Sequence, residues 1–99
     1  MSLDRNIKTE VFWNRRVEKA FKKLPKFILR RFYSWVTDVR YTGIRAVRRL
    51  PGYHDEPLTG SRLGQRSVRL NLNWRVFYVE VPNQDVELIE IIEVNKHEY

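Results

Sequence analysis

The sequence predicts an α+β fold, an N-terminal antiparallel helix hairpin packed on a small antiparallel β-meander. Three observations predict it. Apolar residues recur at helical spacing through the first half of the chain, the spacing changes to strict alternation after Gly52, and proline or glycine stands at the boundaries. Ninety-nine residues are the size of one domain, 1–99, with room for a single core.

The first helical stripe is Trp13, Val17, Ala20, Phe21 and Leu24, with Arg15, Arg16, Glu18, Lys19, Lys22 and Lys23 on the opposite face. Pro25 ends that helix, because it lacks an N–H and clashes with the preceding turn, and it can open the next. The stripe resumes at Ile28, Phe32, Trp35, Val36 and Val39, so two helices joined at a proline are expected to fold back on each other. Ile44, Val47 and Leu50 extend helical spacing past Gly43, as a third short helix or a kinked extension that ends near Pro51–Gly52. Residues 53–64 read as a polar loop. Val68, Leu70 and Leu72 then alternate with Ser67, Arg69 and Asn71, the pattern of a half-buried strand. Asn73 marks a turn, and residues 74–81 are rich in β-formers. Residues 82–85 form another turn, and residues 86–94 complete the meander. A short strand near residues 5–8 is weakly signalled.

Composition narrows the function. With no cysteine in the chain, disulfide scaffolds, thiol nucleophiles and Cys-based zinc sites are excluded. His54 and His97 lack any HExxH or cysteine partner, no G-x-G-x-x-G or Walker sequence occurs, and Ser67 is not in a nucleophile elbow. No cofactor is therefore expected. The N-terminus has no apolar run and no stretch is long enough to span a bilayer, so a cytoplasmic protein without membrane contact is expected. The formal net charge of +7 is uneven: fourteen Lys/Arg face four Asp/Glu in the first fifty residues, and five face eight thereafter. A basic half suits an anionic partner, nucleic acid first, although a solvated helical face has the same composition.

The polar residues of the second half form a chemically coherent set. Glu56 lies in the loop entering the first clear strand, Arg69 on that strand's polar side, Arg75 at the start of the next, and Lys96, His97 and Tyr99 after the last. In an antiparallel meander, strand ends and strand starts are neighbours, so these positions can line one cleft. A carboxylate, two guanidiniums, an imidazole and a phenol suit RNA cleavage by attack of its own 2′-hydroxyl. A base takes the hydroxyl proton, an arginine stabilises charge on the phosphate, and an acid protonates the departing 5′-oxygen. Each residue also has a plain structural reading: Glu56 as an exposed loop carboxylate, Arg75 as a solvated or ion-paired strand charge, His97 and Tyr99 as a terminal tail.

The order and spacing of these elements resemble the RelE/ParE superfamily of bacterial type II toxins. The matching stretches are Glu56-Pro57-Leu58-Thr59-Gly60, Gly64 with Arg66-Ser67-Val68-Arg69-Leu70, Trp74-Arg75-Val76-Phe77-Tyr78, and Val94-Asn95-Lys96-His97-Glu98-Tyr99. With the preceding helices, the resemblance covers essentially the whole chain. It implies a RelE-like microbial RNase fold and a metal-independent, ribosome-dependent mRNA endoribonuclease, an mRNA interferase neutralised by a cognate antitoxin. By similarity to the YoeB-like branch, Glu56 would be the general base, Arg75 the phosphate ligand, His97 the acid, and Tyr99 a stacking or phosphate contact. Two departures stand out: Glu98 separates His97 from Tyr99, which are adjacent in that branch, and the last strand is longer. Arg69, Lys96, Arg15, Arg16, Lys19, Lys22, Lys23 and Arg30 are expected to contact messenger or ribosomal RNA. The alternative within the superfamily is a ParE-like poison of DNA gyrase that acts by binding alone. The antitoxin is expected to lay an acidic amphipathic segment over the basic helices and the sheet.

Overall fold

A computed structural model describes residues 9–83 and 86–96. Eight principal elements run in the order β1 (Thr9–Trp13), α1 (Arg15–Ala20), α2 (Lys26–Thr42), α3 (Ile44–Val47), β2 (Glu56–Pro57), β3 (Gln65–Arg69), β4 (Trp74–Val81) and β5 (Glu87–Lys96), with 3₁₀ turns at Phe21–Lys23, Pro51–Tyr53 and Gly60–Arg62. The five strands form one sheet in the order β1-β5-β4-β3-β2. The pairs β2–β3, β3–β4 and β4–β5 are antiparallel, while β1 runs parallel to β5.

The expected α+β layering is present, with three differences in detail. The meander is enlarged to a mixed sheet, because β1 and the two-residue β2 flank it. Trp13, read as the start of a helical stripe, instead closes β1. The helix that follows is only six residues, capped by the Asn14 side chain, which accepts from the Val17 N–H at 2.9 Å. This short helix lies against β5, beyond the point where β1 stops. β3 also begins two residues before Ser67, and Leu72 sits in the exposed turn after it. The strand considered near residues 5–8 lies outside the described residues.

α2 follows its sequence pattern closely. Ile28, Phe32, Trp35, Val36 and Val39 are all buried on the sheet. Each such side chain contributes about 1.5–3 kcal/mol by leaving water. Gly43 stops the helix at φ 95°, a conformation that β-carbon sterics deny to most residues. The sheet supplies the other half of the core: Val68 from β3 with Leu70 just past its end, Val76 and Tyr78 from β4, Ile89, Ile91 and Val94 from β5. Buried Thr9 links three elements, accepting from the Ile44 N–H and donating to Glu87 Oε1, both at 2.8 Å.

A β-bulge interrupts the β4–β5 ladder. Phe77 opposes Glu93 and Tyr78 opposes Ile91, so Ile92 has no partner on β4. One extra residue resets the alternation. Glu93 and Asn95 therefore face away from the helices, although Ile89 and Ile91 on the same strand face the core.

Candidate active site on the open face of the sheet

Alternation and register determine what the helix-free face displays. Glu56 pairs with Ser67, Ser67 with Phe77, and Phe77 with Glu93, a row crossing β2, β3, β4 and β5. The adjacent row is Arg69, Arg75 and Asn95. Directly opposed residues share a face, and Val76 and Tyr78, which flank Phe77, are fully buried against the helices. Glu56, Arg69 and Arg75 therefore stand on the same open side.

The two arginines have little to hold them. Like charges directly opposite each other across a strand pair are destabilising, yet Arg69 and Arg75 occupy such positions. Among the described residues neither forms an ion pair. Among the described residues Arg75 Nη1 makes one hydrogen bond, a long, 3.5 Å contact with the buried Ser67 hydroxyl. Arg69 Nε is buried without a hydrogen-bond partner. An anion between the two guanidiniums would meet both needs.

Glu56 is positioned by what precedes it. His54 adopts the left-handed conformation (φ 45°, ψ 50°) at the end of a 3₁₀ turn, where the chain reverses. Asp55 then points inward and Glu56 outward. The Asp55 side chain is 1% exposed; Oδ1 accepts from Arg66 Nε at 2.7 Å and Oδ2 from the Tyr78 hydroxyl at 2.6 Å. Arg48 completes the group, donating to the Tyr78 hydroxyl at 3.2 Å and pairing with Glu80 at 3.2 Å. On the other side of the turn, Tyr53 donates to Asp38 Oδ2 at 3.0 Å, and Arg31 lies over its ring. The segment carrying Glu56 is thus tied to α2, α3, β3 and β4.

Burial pushes the Tyr78 phenol above the ordinary tyrosine range near 10, and its hydrogen bond to Asp55 raises it further against the opposing pull of Arg48. A proton held more tightly in the folded state gives stability that is present below the unfolded pKa and lost as pH rises above it. Melting temperature should therefore fall as pH rises past about 10, and more shallowly in Tyr78→Phe. Thermal melts of both proteins between pH 9 and 11 check this (roughly one unit either side of the free tyrosine pKa).

The other expected site residues are dispersed. Lys96 opposes Trp74, next to Asn95 along the strand, so it faces the helix side. Arg15, Arg16, Lys19, Lys22 and Lys23 are exposed on α1 and the turn after it, and Arg16 lines a groove of about 540 Å³ with Ile92, Glu93 and Val94. Arg16 thus stands at the β5 edge, next to the strand segment that carries Asn95 of the Arg75 row. Arg30 does not: it lines an outward groove on α2 with Leu29 and Tyr33, on the far side from the open face. His97 and Tyr99 lie outside the described residues.

Sequence reasoning missed two groups. The Asp55–Arg66–Tyr78–Arg48 cluster is one; its only linear signal is a second carboxylate beside Glu56. Arg62 is the other. Its guanidinium lies 4.1 Å above the Phe77 ring, donates to Gln65 Oε1 at 2.8 Å and pairs with Glu93 at 2.7 Å, all on the open face.

Known structures share this architecture. No family model matches the sequence, and no curated protein matches it either. An archaeal RelE, solved as the RelE–RelB complex from Pyrococcus horikoshii OT3, superposes with a TM-score of 0.67 at 25% identity, covering 90% of this chain and 94% of that one. YafQ from Escherichia coli strain BL21(DE3) gives a TM-score of 0.65 at 18% identity over 90% and 93% of the two chains. A YoeB/ParE toxin from Agrobacterium tumefaciens gives 0.61 at 18% over 90% and 99%. Motif order and three-dimensional architecture lead to the same place: the chain has the fold of the RelE, YafQ and YoeB/ParE toxins.

Proposed function

We propose that this protein is the toxin of a type II toxin–antitoxin system and acts as a ribosome-dependent messenger endoribonuclease. The observation that carries the proposal is the opposed Arg69–Arg75 couple, which lacks a carboxylate partner among the described residues and shares its face with Glu56. A phosphodiester seated on the two guanidiniums satisfies their charge. Glu56 removes the proton of the adjacent 2′-hydroxyl, whose oxygen bonds to phosphorus as the bond to the 5′-oxygen breaks. The arginines stabilise charge on the non-bridging oxygens. A proton from His97, which follows Lys96 in the chain, completes the 5′-hydroxyl leaving group, and Tyr99 adds a stacking or phosphate contact. The products are a 2′,3′-cyclic phosphate and a 5′-hydroxyl end. Arg15, Arg16, Lys19, Lys22 and Lys23 supply salt-sensitive attraction to RNA. The archaeal RelE of this fold, solved in complex with RelB, supports an antitoxin as the protein partner.

Glu56 gives the direct test. Exposed and outside every described ion pair, it can be replaced at little structural cost. Glu56→Gln should slow cleavage of messenger on programmed ribosomes by roughly a hundredfold or more, since positioned general bases supply about 10²–10⁴ in rate. Induction in a bacterium followed by 5′-end mapping should show new 5′-hydroxyl ends with the wild type only. Intact messenger together with gyrase-dependent DNA breaks would instead assign the chain to the ParE-like poisons.

A further inference from the structure

The open face holds a third arginine whose role differs from that of the phosphate-binding pair, and the inference rests on the nuclease reading above. Arg62 is immobilised on three sides. One edge of its guanidinium donates to Gln65, another is paired with Glu93, and the group lies over the Phe77 ring at 4.1 Å. Glu93 is fixed in turn, accepting from Asn95 Nδ2 at 2.7 Å. Asn95 stands opposite Arg75.

This arrangement makes Arg62 a poor phosphate ligand. A guanidinium binds phosphate through in-plane N–H groups and its positive charge, and here two edges and the charge are engaged by Gln65 and Glu93. What remains is the side of the guanidinium turned away from Phe77; the side chain is 37% exposed. A flat, delocalised cation held rigidly over an aromatic ring offers a stacking surface for a nucleobase. Its location suits that task. Phe77 is two residues from Arg75 along the same strand and on the same face, roughly 7 Å away.

We propose that Arg62, backed by Phe77 and tethered by Glu93, is the stacking platform for one nucleobase next to the scissile phosphate. It is a specificity residue that reads the presence of a flat base and makes no demand on hydrogen-bonding edges. Glu93 reaches this face only because the bulge at Ile92 re-aims it.

The test couples residue to base. Programmed ribosomes carry messenger with a single abasic nucleotide, moved through each position of the codon presented for cleavage. Wild type should show one position where base removal slows cleavage by roughly tenfold or more, the size of a lost stacking contact. Arg62→Leu, which keeps Phe77 covered, should cleave the intact message about as slowly as wild type cleaves that abasic message, with no further penalty for the abasic site. Arg62→Lys keeps the charge without the plane and should behave like Arg62→Leu. Circular dichroism confirms that each variant is folded. An undiminished abasic penalty in Arg62→Leu, or full activity in Arg62→Lys, overturns the platform and leaves the nuclease reading intact. Failure of the wild type to cleave any programmed message overturns both.

Discussion

Arg75→Ala is expected to abolish messenger cleavage while leaving the protein as stable as before. Loss of a positioned group that stabilises developing charge typically costs roughly a hundred- to a thousandfold in rate. Packing points the other way for stability. The only hydrogen bond described for the Arg75 side chain is the 3.5 Å contact with Ser67, and the residue stands opposite Arg69. Removing it relieves a like-charge opposition and orphans no carboxylate among the described residues. Thermal melts should therefore show a midpoint unchanged or slightly raised, while single-turnover cleavage on programmed ribosomes falls to near background. Arg75→Lys should recover only part of the rate, because an ammonium restores the charge without the forked geometry that grips two phosphate oxygens. An Arg75→Ala protein that still cleaves within a few-fold of wild type would remove the phosphate-binding role and with it the main support for the mechanism.

The opposed arginines also show how far sequence alone could reach. Periodicity placed Ile28, Phe32, Trp35, Val36 and Val39 on the buried side of a long helix, and all are buried. Alternation put Arg69 on the polar side of its strand, and proximity of strand ends suggested that Glu56, Arg69 and Arg75 could meet. Register was not legible. That Arg69 faces Arg75, and that Glu56 lies in line with Ser67 and Phe77, follows from turn lengths and from the pairing of β2, a strand too short to leave a pattern. The bulge was equally hidden. Strict alternation from Ile89 and Ile91 would direct Glu93 into the core, and only the unpaired Ile92 turns it out to meet Arg62. At the other end of the chain, helical and strand signals overlap. Trp13 and Val17 are four residues apart, which suits one helical face, but Val11 and Trp13 also fit the two-residue repeat of β1. Pairing with β5 decides the matter, a long-range contact that no local window contains.

Asp55 is where a single change should cost the most stability. Its carboxylate is 1% exposed and receives Arg66 Nε and the Tyr78 hydroxyl, with Arg48 Nε 3.9 Å away. Asp55→Ala leaves the Tyr78 hydroxyl without its acceptor in the core and strips Arg66 of its counter-charge, while Arg48 keeps Glu80. Breaking a buried ion pair from one side costs about 3–5 kcal/mol, and the lower end applies because Arg66 is 20% exposed and regains some hydration. In a domain of this length, about 3 kcal/mol lowers the melting midpoint by roughly 12–24 °C. That is a large part of the 5–15 kcal/mol that holds a typical domain together. Asp55→Asn should fall between, since an amide oxygen can still accept from Tyr78 but offers Arg66 no charge. Pairing Asp55→Ala with Tyr78→Phe should recover part of the loss, as the orphaned hydroxyl disappears with its partner. Because Glu56 is the next residue, cleavage by Asp55→Asn should also drop at temperatures where the protein remains folded, whereas Arg75→Ala loses cleavage at no cost in stability. If Asp55→Ala melts within a few degrees of wild type, the cluster is a hydrated surface feature and Glu56 owes its position to something else.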